Sequence, residues 1–296
     1  DASAILGLNG YASPLDVWQE KVGLAPTVVE SEAMEWGTAL EATIRRIYKR
    51  RNKNHEVFPG LEFYRDPDRP WMYANVDGLI DQVGVLEIKT SGFEGKEWAD
   101  DTVPDRYYCQ TQHYLAVHGR EWADIAVLFG GQGGFHMEQY RVERDQAFID
   151  ALVQAEQRFW KLVESETMPD LINHPSEKEA LGRQWAGQEV EAYLVADVEM
   201  RTLASQLRQV RWDMGELDAE KEAVENKIKA RMGENIGVQL DADEVLTWKP
   251  DSMGKVSWKD LAESFEPDYE MIESHRGKPG RTFRVPRIWS TEDGSD

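Results

Sequence analysis

Two short apolar runs, Ala74 to Ile80 and Gly84 to Lys89, begin ten residues apart on either side of Asp81-Gln82. They constrain the fold more than any other feature of the chain. Runs this brief, bounded by turn-forming residues, cannot repeat a helical period and read instead as strands joined by a tight connection. A further run, Leu61 to Tyr64, lies before them and is set off by Asp66-Pro67, so residues 61–90 read as a strand meander. On the last strand side chains alternate, which places Glu87 and Lys89 on one face and turns Leu86 and Ile88 to the other, into a core. Antiparallel pairing would bring Asp77 beside them.

Helical patterns surround this meander. Ser13-Pro14 reads as an N-cap with proline at the first helical position, opening a short helix to about Val22 that Gly23 ends. Ser31 can cap a longer one, in which Met34, Leu40, Ile44, Ile47 and Tyr48 recur at roughly helical spacing. Glu41 falls in its middle, and Lys49-Arg50-Arg51 suits its negative end. Pro104 to Val117 reads as helix, Ile125 to Phe129 and His136 to Val142 as strands, and Gln146 to Val163 as an amphipathic helix. After the break at Pro169 to Pro175, residues 189–232 are charged with apolar positions at helical spacing, a hairpin or one long helix stopped by Gly233. Thr247-Trp248-Lys249, Lys255-Val256-Ser257-Trp258 and Arg281-Thr282-Phe283-Arg284-Val285 read as short strands. The expected fold class is α/β (α+β). Residues 1–179 would form a mixed sheet flanked by helices, and residues 180–296 a long-helix and small α+β appendage.

Charge restricts the partners. The 34 basic and 55 acidic side chains give a net charge of −21. Residues 1–179 hold 18 basic and 31 acidic groups and residues 180–296 hold 16 and 24, so neither part is basic. Nucleic-acid binding usually leaves a basic footprint, and a DNA site here must be a local strip inside an acidic exterior, assisted by metal ions. Arg45, Arg46, Lys49, Arg50, Arg51 and Lys96 are the candidates, with a solvated helix end as the other reading of the first five. No apolar run approaches bilayer length and no signal-peptide pattern opens the chain, so a soluble, cytoplasmic protein with no membrane partner is expected. The single cysteine, Cys109, lies in no metal-ligand spacing and reads as a buried thiol.

Asp77, Glu87 and Lys89 supply what phosphodiester hydrolysis requires. Two carboxylates can hold hard Mg²⁺ or Mn²⁺ through oxygen, the metal lowers the pKa of a water, and a cation steadies the attacking hydroxide or the charge on phosphorus. The backbone carbonyl of Ile88 could complete the coordination. At ordinary composition this three-residue pattern arises by chance roughly once in 4,600 positions, which leaves a solvated strand face and a simple Asp-Gly turn open as the other reading.

Several separate blocks resemble one family, the YqaJ-like viral recombinases, relatives of phage lambda exonuclease within the PD-(D/E)xK nuclease superfamily. The similarity covers about residues 1–165. Ala4-Ile5-Leu6-Gly7-Leu8 with Ser13-Pro14-Leu15-Asp16-Val17-Trp18 looks like the family's opening, and Met34-Glu35-Trp36-Gly37-Thr38-Ala39-Leu40-Glu41 like its glutamate helix. Asn75-Val76-Asp77-Gly78-Leu79 looks like its aspartate block, Leu86-Glu87-Ile88-Lys89-Thr90 like its Glu-x-Lys strand, and Tyr108 to Leu115 like its Gln-x-Gln helix. The resemblance implies a restriction-endonuclease-like core with Asp77, Glu87 and the Ile88 carbonyl on the metal and Glu41 touching it directly or through water. It further implies that Lys89 orients or activates the attacking water and that Gln110 supports the site, with Gln112 a further DNA-facing candidate. Asp66 reads equally as a turn residue and is left outside the set. His113 reads as a packing or DNA-facing side chain rather than a ligand. Trp98, Tyr107 and Tyr108 are core aromatics or base-stacking groups.

The resemblance also implies processive 5′ to 3′ digestion of linear duplex DNA ends, 3′ overhangs handed to a single-strand annealing protein, and in some relatives a trimeric ring. A glycine-serine segment ahead of the position of Asp1 is expected to help grip a 5′ phosphate. Two other readings stand beside this one. A RecB- or Cas4-like nuclease would act on other ends or on single strands, although one cysteine excludes the iron–sulfur cluster usual in Cas4 relatives. A catalytically idle nuclease fold would serve only to bind DNA or dock a partner, and the intact acidic-lysine set argues against it.

Overall fold

The computed structural model describes residues 1–25, 31–60, 63–91, 97–98, 102–131, 134–185, 193–241 and 244–248. Two units divide at Trp185 and Ala186. The first is built on a five-stranded sheet in the order β1-β4-β5-β6-β7. Its strands are β1 (Val57–Pro59), β4 (Gly78–Ile80), β5 (Gly84–Ser91), β6 (Trp122–Gly131) and β7 (Gly134–Glu143), with β2 (Tyr64–Arg65) and β3 (Tyr73–Ala74) forming a small separate pair. Neighbours in the main sheet are antiparallel except β5 and β6, which run parallel. Parallel strands need a crossover, supplied here by α4 (Asp105–His118).

Alternation along β5 decides which helix covers which residue. Leu86 and Ile88 join Ile44, Tyr48 and Ile80 in one core, under α3 (Glu32–Arg51). Val85 points the other way, into a second core with Leu115 of α4 and Ile149 of α5 (Gln146–Glu164). Glu87 and Lys89, in phase with Val85, therefore face α4. The result is the mixed sheet flanked by helices that the restriction-endonuclease-like reading anticipates.

The remaining helices close one end. In α2 (Pro14–Lys21) Ser13 and Asp16 form a capping box, and Asp16 is also held by Ser176 and by Arg183 of α6 (Glu177–Gln184). Burial opposes ionisation of Asp16, but the bonds from Ser13, Ser176 and Arg183 win and hold its carboxyl at about 2. Gln19 of α2 donates to the Ala180 carbonyl at 2.8 Å, so α6 belongs to this unit. The short α1 (Ala2–Ile5) packs with Cys109 and Leu152. Cys109 is fully buried and its thiol is pushed up to about 12.

Residues 74–80 do not form the single strand that their apolar texture suggests. The run breaks into β3 and β4, and Asn75 to Asp77 lie between them. Gly60 lies against this break: its N–H donates to the Asp77 carbonyl at 3.3 Å, and a Cβ at position 60 would meet the Val76 carbonyl oxygen at 1.5 Å. Gly60→Ala is expected to cost on the order of 3 kcal/mol. A denaturant midpoint close to that of the parent chain would show that the backbone around Asp77 can yield.

The second unit, described by itself, contains one uninterrupted helix, α7 (Val198–Met232), capped by Asp197, and an antiparallel hairpin of β8 (Gly237–Asp241) and β9 (Glu244–Thr247). The strand expected at Thr247-Trp248-Lys249 lies earlier: it ends at Thr247, with Trp248 beyond it and Lys249 outside the described residues. The expected strands at 255–258 and 281–285, and Lys96, lie outside the described residues.

Candidate active site

Asp77 and Glu87 come together through strand register. Gly78 pairs with Leu86 across β4 and β5, so Asp77, one residue before β4, comes opposite Glu87. Its Oδ2 accepts the Ile88 N–H at 2.6 Å, which pins the carboxylate against β5. On the same face, Lys89 Nζ lies 2.5 Å from Glu87 Oε1. Gln110 of α4 donates through Nε2 to that oxygen at 3.1 Å and to the Tyr114 hydroxyl at 2.6 Å. Tyr107 lies on the same face of the helix, with Lys89 Nζ 5.1 Å from its ring centroid. Spacings of three and four along α4 thus gather Tyr107, Gln110 and Tyr114 over the acids.

The backbone side of the site is held by Arg45, whose guanidinium donates to the Asp77 carbonyl and, at 3.2 Å, to Glu41 Oε1. That contact places Arg45 inside the site rather than among cations free to meet DNA. Glu41 lies on the same helix and acts on Asp77 electrostatically. Even so, among the described residues no three His, Cys, Asp or Glu side chains are gathered closely enough to hold a metal together. The acids immediately paired across the strands are two, Asp77 and Glu87.

Electrostatically the pair is overloaded with negative charge. Burial first, then the nearby Glu87 and Glu41 carboxylates, push the Asp77 carboxyl up to about 8, against the pull of the Ile88 N–H and Lys89. Burial alone would push the Lys89 ammonium down, but Glu87 and Asp77 more than offset it and its pKa stands above the ordinary value. Glu87 is 3% exposed, and its Oε2 is buried with no hydrogen-bond partner among the described residues. A buried, unpaired carboxylate oxygen is costly. Hard oxygen donors with one oxygen left over fit Mg²⁺ or Mn²⁺, and they do not fit a soft thiolate-seeking metal.

Gln112 is not available to DNA. Two residues along a helix turn a side chain through roughly 200°, away from Gln110. There it is fully buried, donating to the Glu143 carbonyl at 2.7 Å and accepting the Asp145 N–H at 3.0 Å. Gln112→Ala is expected to lower stability by about 1–3 kcal/mol, by orphaning those groups, and to leave DNA affinity unchanged in a fluorescence anisotropy titration. Weakened DNA binding with full stability would return Gln112 to the surface.

The other candidates sort by burial. Arg46, Lys49, Arg50 and Arg51 at the end of α3 are exposed, though Lys49 and Arg51 also reach the carbonyls of Val57 and Met137. Asp66 is a turn residue, buried and paired with Arg69 at 2.7 Å. His113 is tied to Glu156 at 2.7 Å and to the Tyr73 carbonyl. Trp98 is 8% exposed and stacks on Tyr107 in the core. Sequence reasoning missed the parts played by Arg45 and Tyr114. Position 114 was signalled by its four-residue offset from Gln110, whereas Arg45 acts across 32 residues of chain, which no local pattern reveals.

Comparison with known proteins fixes the family. Residues 1–121 match the YqaJ-like viral recombinase domain, a span that holds Glu41, Asp77, Glu87, Lys89 and Gln110. Over 279 residues the chain is 31% identical to the uncharacterized protein YqaJ of Bacillus subtilis strain 168, covering 92% of this chain and 86% of that one. The chain belongs to the YqaJ-like viral recombinase family. Among solved structures this YqaJ-like protein is similar to an alkaline exonuclease, LHK-Exo, from Laribacter hongkongensis, with 21% identity over 56% of this chain and 88% of that one and a TM-score of 0.44. It is also similar to a phage-related exonuclease from Haemophilus somnus 129PT, with 13% identity over 52% and 81% and a TM-score of 0.42. No helix of the YqaJ-like chain among the described residues is long and apolar enough to cross a membrane.

Proposed function

We propose that this YqaJ-family protein, a nuclease of the phage-recombination type, uses Mg²⁺ or Mn²⁺ to hydrolyse linear double-stranded DNA from its 5′ ends. The 3′ overhangs it leaves would be consumed by a single-strand annealing protein. The observation that carries the reading is the juxtaposition of Asp77 and Glu87 beside the Lys89 ammonium, with one Glu87 oxygen buried and unpartnered. Asp77, Glu87 and the Ile88 carbonyl would hold the cation, with Glu41 reaching it through water. Bound there, a divalent ion supplies Lewis acidity toward phosphate and water.

The protein's own groups do the positioning. Glu87 is fixed by Lys89 and Gln110, so its remaining oxygen has one direction in which to act. Asp77 is fixed twice, through its side chain by the Ile88 N–H and through its carbonyl by Arg45. Lys89 presents a cation to the charge that builds on phosphate oxygens as water attacks. The exposed Arg46, Lys49 and Arg50 at the end of α3 offer the local basic strip that an otherwise acidic chain needs to meet the DNA backbone.

The test is a digestion time course with Mg²⁺ on linear duplexes bearing a 5′ phosphate or a 5′ hydroxyl, each labelled at one end, beside an EDTA control. Metal-dependent loss from the phosphorylated end supports the assignment. Absence of cleavage on linear, branched and single-stranded DNA would favour a module that only binds DNA.

A further inference from the structure

Helix α7 is 35 residues long, yet Met232 alone among its side chains is buried. In proteins the packing of an apolar face is what ordinarily stabilises a helix. Its apolar residues follow a strict repeat. Leu203, Val210, Leu217 and Val224 recur every seven residues. Met200, Leu207, Met214 and Ile228 form a second seven-residue series, interrupted once by Lys221, and interleave with the first at alternating steps of three and four. A mean spacing of 3.5 is the coiled-coil period and differs from the 3.6 of a helix lying flat on a globular core. Leu203, Val210, Met214, Leu217 and Val224 are between 48% and 64% exposed.

Charge selects the partner and its direction. Residues 213–226 hold six acids and one lysine, while Arg208 and Arg211 precede them and Lys227, Lys229 and Arg231 follow. A parallel pairing of two copies in register would lay the acidic stretch on itself and set Asp213 against Asp218, and Glu220 against Glu225, at the positions bordering the seam. Antiparallel pairing about the helix midpoint keeps one like-charge contact, Asp213 with Glu220, but replaces the other by Arg211 against the acidic stretch of the other copy. In that arrangement Leu203 packs on Ile228, Leu207 on Val224 and Met214 on Leu217 of the second copy, and Val210 meets the methylene stem of Lys221. Arg211, whose Nε is buried without an acceptor among the described residues, then faces Asp218 of the second copy.

We propose that α7 pairs two copies of this chain as an antiparallel two-stranded coiled coil. The proposal concerns the second unit by itself and stands whether or not the first cuts DNA. The experiment compares the chain with the Leu207→Asp, Leu217→Asp double variant by sedimentation equilibrium at micromolar concentrations, with circular dichroism to check folding. The expected result is a twofold fall in particle mass in the variant. Because the readout is a ratio, any ring formed by the first unit leaves it unaffected. Direction is read by mixing separately prepared Leu203→Cys and Ile228→Cys chains under mild oxidation, where Cys109 is buried and silent. A disulfide between the two different chains, with none between two Leu203→Cys chains, is expected. Equal masses for parent and variant would overturn the proposal, as would a disulfide between two Leu203→Cys chains, which requires parallel helices. Should the double variant lose helix throughout, the disulfide test on the singly substituted chains decides alone.

Discussion

Lys89→Ala is expected to reduce Mg²⁺-dependent hydrolysis of linear duplex DNA by at least about 10²- to 10³-fold, the usual effect of removing one group that stabilises transition-state charge. It is also expected to make the protein less stable. Lys89 Nζ is the ion-pair partner of Glu87, which is otherwise buried against a hydrogen bond from Gln110 alone. Removing one member of a buried pair strands the other, at a cost on the order of 3 kcal/mol. Activity must therefore be measured well below the unfolding transition, on chains whose circular dichroism matches the parent. Added Mg²⁺ should return part of the lost stability, because a cation on the freed carboxylate replaces the ammonium. A variant that cuts DNA at the parental rate would remove Lys89 from the reaction. One that is inactive but fully stable would mean that Glu87 is solvated in solution and that the pair does not hold it.

The second large effect concerns pH. The Asp77 carboxyl stands at about 8 in the folded chain against an ordinary 3.8. For an acid whose pKa is raised by folding, the native state binds the proton more tightly than the unfolded state does. Its contribution is thus fully present below about pH 4 and is lost as pH rises toward 8. In EDTA the melting temperature should fall across that window, by an amount equivalent to a few kcal/mol, given 1.36 kcal/mol per pKa unit. Asp77→Asn carries no such proton and should flatten the slope. Mg²⁺ should stabilise the parent chain most at the alkaline end, where the cation need not displace a proton. Identical pH slopes for parent and Asp77→Asn in EDTA would show that Asp77 ionises normally.

The features that were readable from the sequence are the periodic ones. Alternation along Gly84 to Lys89 placed Glu87 and Lys89 on one face because a strand's period is two. Helices opened by Ser13 and Ser31 were visible because capping is decided within four residues. The break between β3 and β4 was not visible, since it depends on Gly60 approaching Val76 and on Arg45 reaching the Asp77 carbonyl, contacts that join distant parts of the chain. Gln112 does not face DNA because the helical period sets it opposite Gln110, where it is fully buried. Residues 189–232 left a hairpin and a single helix both open; Gly215, at the middle of α7, is compatible with either, and it is the continuous hydrogen-bonded helix from Val198 to Met232 that decides for one.

Arg45 and Lys49 sit one helical turn apart on α3. Arg45 donates to the Asp77 carbonyl and Lys49 to the Val57 carbonyl at 3.3 Å. The helix is thereby laced to both ends of the ladder formed by β1 and β4, so the position of Asp77 is set by α3 as much as by the strand it leads into.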